Sequence, residues 1–531
     1  MISVSDQWKA IQKERLLPIS EIEIEYNITE PGVQADAIST ATPEETFSGA
    51  ENMVHELLND EPKYATLEHN QWILDGTFEV LPVEVPMANG FISSNLSGAD
   101  KTFAAVPTIT ITFSQVHYGT VPGLTLIWSK TYDEWAEEFR ITAYNGDTVV
   151  ARAEVTGNRD VTAYAWTAIQ GYNKIVIEIL KWCLPYRRAR LIECLIGIKK
   201  VYTKTDLMGF EHEQSADLLS AELPKNAIVF KLDNSHNIWN PDNPIGAEKY
   251  LMEKQTISVK YGFHINGGVE WIRAGTFYMS EWSTPSNGLE ASFTARDILE
   301  FCGDIYSGPR SGTLLSIVQA ALEQSGIDSD TYLLDEAALS SVNTDFSEDT
   351  TEYTCSEVLQ MCANAACCCL RQCRNGFLRI QPVGVNLTDY VIGQLSDGVN
   401  NSYSHPEFDL TKELKSVSVN SGMGTAANSA TGNVQTVENP LIVDAATANA
   451  VAAWCRDCLK NRKIVSGEFR ADPRLDALDT VTVVSKYGSN SVQISNVKYT
   501  YNGAFRGVYT GRITDFDKEV WYSGELVSGE V

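Results

Sequence analysis

No apolar run in the 531-residue chain reaches the ~18 residues of a membrane-spanning helix. The opening Met1-Ile-Ser-Val-Ser-Asp-Gln-Trp8 has neither the basic segment nor the apolar stretch of a secretory leader, so the chain is expected to be made in a cytoplasm and to stay soluble. Cations are scarce: 41 Lys and Arg stand against 69 Asp and Glu, a formal net charge of −28. A surface this acidic repels phosphate backbones and anionic lipid heads, which argues against nucleic acid and membrane as partners.

Catalytic constellations are missing as well. The seven histidines stand apart, and no Gly-x-Ser-x-Gly elbow, His-Glu-x-x-His pair or phosphate-cradling Gly-Lys-Ser/Thr loop occurs. The acidic pair Glu137-Glu138 reads as an ordinary polar strand edge. No catalytic residue, cofactor or metal is therefore expected. The eleven cysteines are unevenly spread, with Cys355, Cys362, Cys367, Cys368, Cys369 and Cys373 crowded together, unlike a secreted disulfide framework. Cys455-Arg-Asp-Cys458 has metal-ligand spacing, but it falls in an expected helix without a second Cys or His pair, so buried reduced thiols are the preferred reading. Asp233-Asn-Ser-His-Asn237 followed by Asn240-Pro-Asp-Asn-Pro is rich in oxygen ligands. It lacks the spaced acids, central Gly and closing Glu of an EF-hand loop, and reads better as a capped turn.

What is present is material for about three or four domains at ~150 residues each. Hydrophobic residues make up 44% and charged residues 21%, a globular balance. Residues 5–15 suit a short helix, and Ile19 to Tyr26 alternates apolar and acidic residues like a strand with one wet face. Residues 31–50 are small and polar and read as a linker. From 64 to 203, short apolar runs recur, among them 72–74, 78–81, Thr108-Ile-Thr-Ile-Thr-Phe113, Leu124-Thr-Leu-Ile-Trp128, Phe139-Arg-Ile-Thr-Ala-Tyr144, Lys174-Ile-Val-Ile-Glu-Ile179 and Leu191-Ile-Glu-Cys-Leu-Ile-Gly197. Turn residues such as Pro122-Gly123 and Asn145-Gly146 separate them, so a jelly-roll β-sandwich of about eight strands is expected.

Strands resume at 227–232, 256–261, 269–274 and 289–294, with Asn266-Gly-Gly268 as a hairpin signal. Helices are expected at 312–325 and 355–370, followed by a strand pair around Asn375-Gly376. Beyond 388 the pattern gives a strand at 413–420, a mobile Gly/Ser/Ala/Asn loop at 421–433, a helix at 445–461 and four further strands. Within the sandwich, Tyr132, Trp135 and Trp166 fall near turns. Exposed aromatics there could stack on sugar rings, although packing is the preferred role.

The sandwich resembles the galactose-binding-like, discoidin-type jelly roll inserted in phage tail proteins. The likeness rests on Tyr64-Ala-Thr-Leu-Glu68, Trp72-Ile-Leu-Asp-Gly76, Pro122-Gly-Leu-Thr-Leu126, the stretch from Asp133-Glu-Trp135 to Asn145-Gly146, and Arg187 to Gly197. The remainder resembles the baseplate-hub or tail-tip family of long-tailed phages, prophages and contractile injection systems of Gram-positive type. There the likeness is carried by Leu232-Asp-Asn234 with Trp239-Asn-Pro241, Cys355 to Ala363, Val437-Glu-Asn-Pro-Leu441, Ala452-Ala-Trp454 and Arg470-Ala-Asp-Pro-Arg474 leading to Leu478-Asp-Thr-Val481.

That resemblance implies a mainly β, multidomain chain. A hub β domain would comprise 1–36 and 205–308, with the galactose-binding-like jelly roll of 50–204 inserted in it. An α+β module at 309–387 and a C-terminal β-rich domain with one helix at 388–531 would follow. It further implies a non-enzymatic virion component at the distal end of a tail, assembled in the host cytoplasm as a homotrimeric ring. Its partners would be other tail and baseplate proteins and copies of itself, with host cell-wall glycan a candidate ligand of Tyr132, Trp135 and Trp166 in host attachment. The competing reading is a carbohydrate-binding module protein attached to a cell-wall-degrading enzyme.

Overall fold

The computed structural model describes residues 1–14, 19–54, 63–66, 68, 75–78, 90–243, 246–265, 267–284, 288–329, 331–384, 387–393, 400–486 and 488–514. The chain is mainly β and forms two compact units, one of residues 1–24, 202–236 and 257–531, the other of 25–201 and 237–256.

The second unit is a β-sandwich. One sheet orders the strands Ile38–Thr42, Thr108–His117, Tyr172–Trp182, Ala136–Asn145 and Thr148–Thr156; the other orders Phe91–Leu96, Arg188–Leu195, Val121–Trp128 and Thr162–Ile169. Period-two alternation sends Ile109, Ile111, Ile175, Ile177 and Ile179 inward, where they bury against Trp128, Phe139 and Trp182. Trp128 meets both Phe139 and Trp182 edge to face, with centroids 5.4 and 5.9 Å apart.

Two sequence expectations are corrected here. Residues 31–50 are not a linker: Ile38–Thr42 pairs with Thr108–His117, and Val33, Ala37 and Ala50 lie in the sandwich core. Small residues suit an edge strand packed closely on its neighbour. Pro122-Gly123 is not a turn but lies inside Val121–Trp128, where the register shifts. Gly123 has φ +148°, and a Cβ there would come within 2.0 Å of the Ala165 carbonyl oxygen, so glycine permits the close approach. Of the expected strands at 72–74 and 78–81, residues 72–74 and 79–81 lie outside the described residues.

The first unit contains a large sheet. From the edge strand Gly197–Thr203 its path runs Ser20–Thr29, Thr256–Ile265, Gly268–Ser283, Glu290–Arg296, Lys225–Asp233, Leu207–Ser215, Gly488–Tyr501, Phe505–Ile513, Lys463–Phe469 and Glu407–Leu410. Ser20–Thr29 and Thr256–Ile265 are joined by His264 N donating to Ile19 O at 3.1 Å and by Lys260 and Glu23 at 3.1 Å. Strand Leu207–Ser215 pairs on its other side with the C-terminal strand, from Phe210 opposite Tyr501 to Ser215 opposite Asn496. The strands Glu407–Leu410, Lys463–Phe469, Thr480–Ser485, Gly488–Tyr501 and Phe505–Ile513 share this sheet, whereas Ser311–Thr313, Tyr332–Leu334, Asn343–Asp345, Cys369–Gln372 and Leu378–Gln381 form two small sheets of their own. Of the expected turn at 266–268, Asn266 lies outside the described residues.

Four helices contribute to one apolar cluster, the short Glu336–Ser341 through Leu339 and three longer ones. Leu314–Gln324 starts at Thr313, whose hydroxyl accepts from Ser316 N, and Cys355–Ala365 starts with a reciprocal capping box between Thr354 and Glu357. Ala445–Leu459 starts at Asp444, which accepts from Ala446 N and Thr447 N. The helix begun at Cys355 stops at Ala365 instead of reaching 370. Cys369–Gln372 is already a strand, antiparallel to Leu378–Gln381 across the Asn375-Gly376 turn.

The segment 421–433 is a further correction. Gly424–Ala427 pairs antiparallel with Leu414–Val419, and Asn433–Val437 pairs with the same strand in parallel. The missing side chain of Gly424 lets the Ala445–Leu459 helix close onto it, since a Cβ would lie 2.2 Å from the Ala448 carbonyl carbon.

Candidate binding residues of the sandwich

Val121–Trp128 ends in a tight turn, Ser129 to Glu134, closed by Glu134 N donating to Ser129 O at 3.1 Å and by Asp133 in the left-handed region at φ +51°. Glu134 points inward. Its carboxylate accepts from Trp182 Nε1 at 2.9 Å and pairs with Arg187 Nε at 3.1 Å. Burial raises the Glu134 pKa, opposed by the Trp182 hydrogen bond and by the Arg190 and Arg187 charges.

Beside it lies a second buried pair, Glu68 and Arg190, each about 2% exposed. Glu68 Oε2 meets Arg190 Nη2 and also accepts from the Thr66 hydroxyl at 2.6 Å, while Oε1 accepts from Arg190 Nη1 at 3.1 Å and Arg188 N at 2.7 Å. Burial works to raise the Glu68 pKa, but the Arg190 charge and these donors outweigh it and hold the carboxyl below its ordinary value.

Tyr132 is half-buried over this network, with the Arg190 guanidinium 4.8 Å from its ring centre and Phe78 at 6.5 Å. Trp135 packs against the sandwich core, and its backbone exchanges hydrogen bonds with Cys183: N donates to Sγ at 3.3 Å and O accepts from N at 3.0 Å.

Trp166 lies elsewhere. It is not beside a loop but within the strand Thr162–Ile169, opposite Gly123, whereas Tyr132 and Trp135 follow the far end of that partner strand at Trp128. Five residues at ~3.3 Å each separate Gly123 from Trp128. The structure thus brings Tyr132 and Trp135 to one end of the sandwich and leaves Trp166 out of that group. Trp166 is 55% exposed, with Lys200 Nζ 5.0 Å from its ring centre and Tyr164 at 6.1 Å. Tyr164 is the aromatic that sequence reading missed. Its spacing of two from Trp166 along a strand places both on one outward face.

The other sequence candidates are accounted for locally. Asp233 caps its own turn, accepting from Ser235 N at 2.9 Å and from the Ser235 hydroxyl at 3.1 Å. The eleven cysteines form no disulfide, and burial pushes the Cys455, Cys458 and Cys369 thiols each up to about 12, which leaves them poor nucleophiles. Among the described residues no group of three His, Cys, Asp or Glu side chains is placed to hold a metal. Glu137 is engaged by Lys181 at 2.7 Å and Lys101 at 3.0 Å.

No protein-family model and no curated protein matches the chain. Solved structures similar to it include phage tail proteins. A 43 kDa tail protein from a Shewanella oneidensis prophage is 13% identical over 59% of this chain and 94% of that one, with a TM-score of 0.40. A prophage tail protein from Listeria monocytogenes is 14% identical over 59% of this chain and 91% of that one, with a TM-score of 0.36. A family 32 carbohydrate-binding module from C. perfringens, solved with galactose, is 13% identical over 34% of this chain and 99% of that one, with a TM-score of 0.20.

Proposed function

We propose that this chain is a structural component of a phage or phage-derived tail, a tip or baseplate-hub protein whose copies form a threefold ring at the distal end of the tail tube. One observation carries this reading. The strand Ser20–Thr29 and the strand Thr256–Ile265 are neighbours in one sheet, with the sandwich strands lying between them in sequence. This neighbour relation supports reading a host β domain interrupted by an inserted module, the arrangement that the family resemblance implies. A ring at a tube end needs closed symmetry, with each copy offering one edge to the next.

Negative-stain imaging of purified particles with an antibody against this chain tests the reading. Label at the distal tail end is expected, and label elsewhere on the particle rejects it. A mass measurement on assembled tips is expected to return three copies; one or six would reject the trimer.

The sandwich serves in this proposal as an appendage for host cell-wall glycan or a neighbouring tail protein. The exposed Trp166 and Tyr164 supply an aromatic face, while Tyr132 and Trp135 act mainly in packing. Loss of glycan binding in Trp166→Ala, with folding intact, is the expected result; unchanged binding would remove Trp166 from the site.

A further inference from the structure

Arg371 and Arg379 stand directly opposite one another on the antiparallel strands Cys369–Gln372 and Leu378–Gln381. Two like charges in that position repel, with Cβ atoms ~5 Å apart, and the nearby charges of Asp476 and Asp479 offset this in part at Arg371. Among the described residues neither guanidinium has a carboxylate within 4.0 Å or makes a hydrogen bond, and Arg379 Nε is buried without a partner. Their neighbours are fully engaged. Arg374 binds Asp476 at 2.7 Å and the carbonyls of Arg273 and Leu475, and Gln372 accepts from Ile298 N and donates to Thr276 O.

Both free guanidiniums line a cavity of about 400 Å³. Its charged side chains are Lys225, Arg371, Arg374 and Arg379 against Asp297 and Asp476, a cationic balance in a chain of net charge −28. Asp476 is already bound by Arg374, and Asp297 is turned to the backbone, accepting from Asn226 N at 2.9 Å. We infer that this cavity is a binding site for an oxyanion, a phosphate or carboxylate group that takes the paired forks of Arg371 and Arg379. Guanidinium forks match such groups in bidentate fashion, and a bound anion would turn the opposed charges from a repulsion into a clamp.

The test uses the full chain, with inorganic phosphate and a short Asp/Glu peptide as probes, titrated calorimetrically at constant ionic strength set by chloride. Saturable binding of at least one probe is expected. Arg371→Gln and Arg379→Gln should each weaken it by about tenfold or more, while Arg152→Gln on the exposed face of the sandwich leaves it unchanged. In buffer free of both probes, Arg379→Gln should melt no lower than the parent, because a repulsion has been removed. Where the Gln variant folds poorly, Arg379→Lys keeps the charge without the fork and is expected to lose binding several-fold. Preference for the peptide would identify a polypeptide carboxylate as the natural ligand, and preference for phosphate a free ion. Saturation by neither probe, or binding by the Arg variants equal to the parent, would overturn the site.

Discussion

Asn226 and Asp297 are locked together across neighbouring strands: Asn226 N donates to Asp297 Oδ2 and Asp297 N donates to Asn226 O, both at 2.9 Å. On its other side Asn226 Oδ1 accepts from His212 Nε2 at 2.8 Å, and His212 Nδ1 accepts from the Tyr261 hydroxyl at 2.7 Å. One asparagine thus connects two buried titratable groups whose pKa values are displaced by desolvation in ways that oppose each other in stability.

Burial pushes Asp297 up to about 7 from its ordinary 3.8, despite the backbone donors. Between those values the folded chain holds a proton that the unfolded chain has released. This group's contribution to stability should therefore fall as pH rises from about 4 to about 7, by at most about 4 kcal/mol, and stay level above. Asp297→Asn should remove that contribution and leave the opposing slope of His212, so that the variant gains stability as pH rises from about 4 to 6.5, as checked by urea unfolding across that range.

His212 acts in the reverse sense. Burial lowers its pKa to about 4 from 6.5, so the unfolded chain takes up a proton that the folded chain refuses. Stability should be lost as pH falls from 6.5 to 4, by about 3 kcal/mol. In the parent chain the two effects nearly cancel over that window. His212→Gln should expose the Asp297 slope alone, and a flat profile in that variant would refute the pairing.

Arg190→Leu should be the most damaging single change in the sandwich. It leaves the Glu68 carboxylate buried without its cation, a loss of about 3–5 kcal/mol by denaturant midpoint. Replacing Glu68 and Arg190 together by apolar residues should recover most of it. Equal losses in the single and double variants would show that the pair is not the cause.

Trp135→Ala should cost about 2 kcal/mol, because the ring is half-buried against the sandwich core. Trp166→Ala, on an exposed strand face, should stay within about 0.5 kcal/mol of the parent. Thermal melts of the two full-length variants check the contrast, which reverses if Trp166 is the packing residue.

Where burial follows a strict period, the sequence could be read almost to the residue. Thr108 to Phe113 alternates as expected, and the helix expected at 445–461 spans Ala445–Leu459. Misreadings arose where composition stands in for packing. Gly424–Ala427 looks too poor in apolar side chains to order, yet its smallness is what lets a helix lie on it. Pro122-Gly123 looks like a turn because the demand for glycine comes from Ala165, forty residues on. The aromatic candidates were visible as residue types, but whether they meet depends on strand register. That is why Trp166 could be grouped with Tyr132 from sequence and is separated from it by the length of a strand. The Arg371 and Arg379 pairing is likewise a register fact with no signature in the spacing of the two residues.

The large sheet also dictates an order of events during synthesis. Strand Leu207–Ser215 lies between Lys225–Asp233 and Gly488–Tyr501, so one of its edges stays open until the ribosome has made Gly488–Tyr501. The sandwich strands all precede residue 200 and can find their partners long before that. The nascent protein therefore carries a finished sandwich while its large sheet is unfinished, and the exposed backbone edge of that sheet must be kept from pairing with neighbouring chains until its later strands arrive.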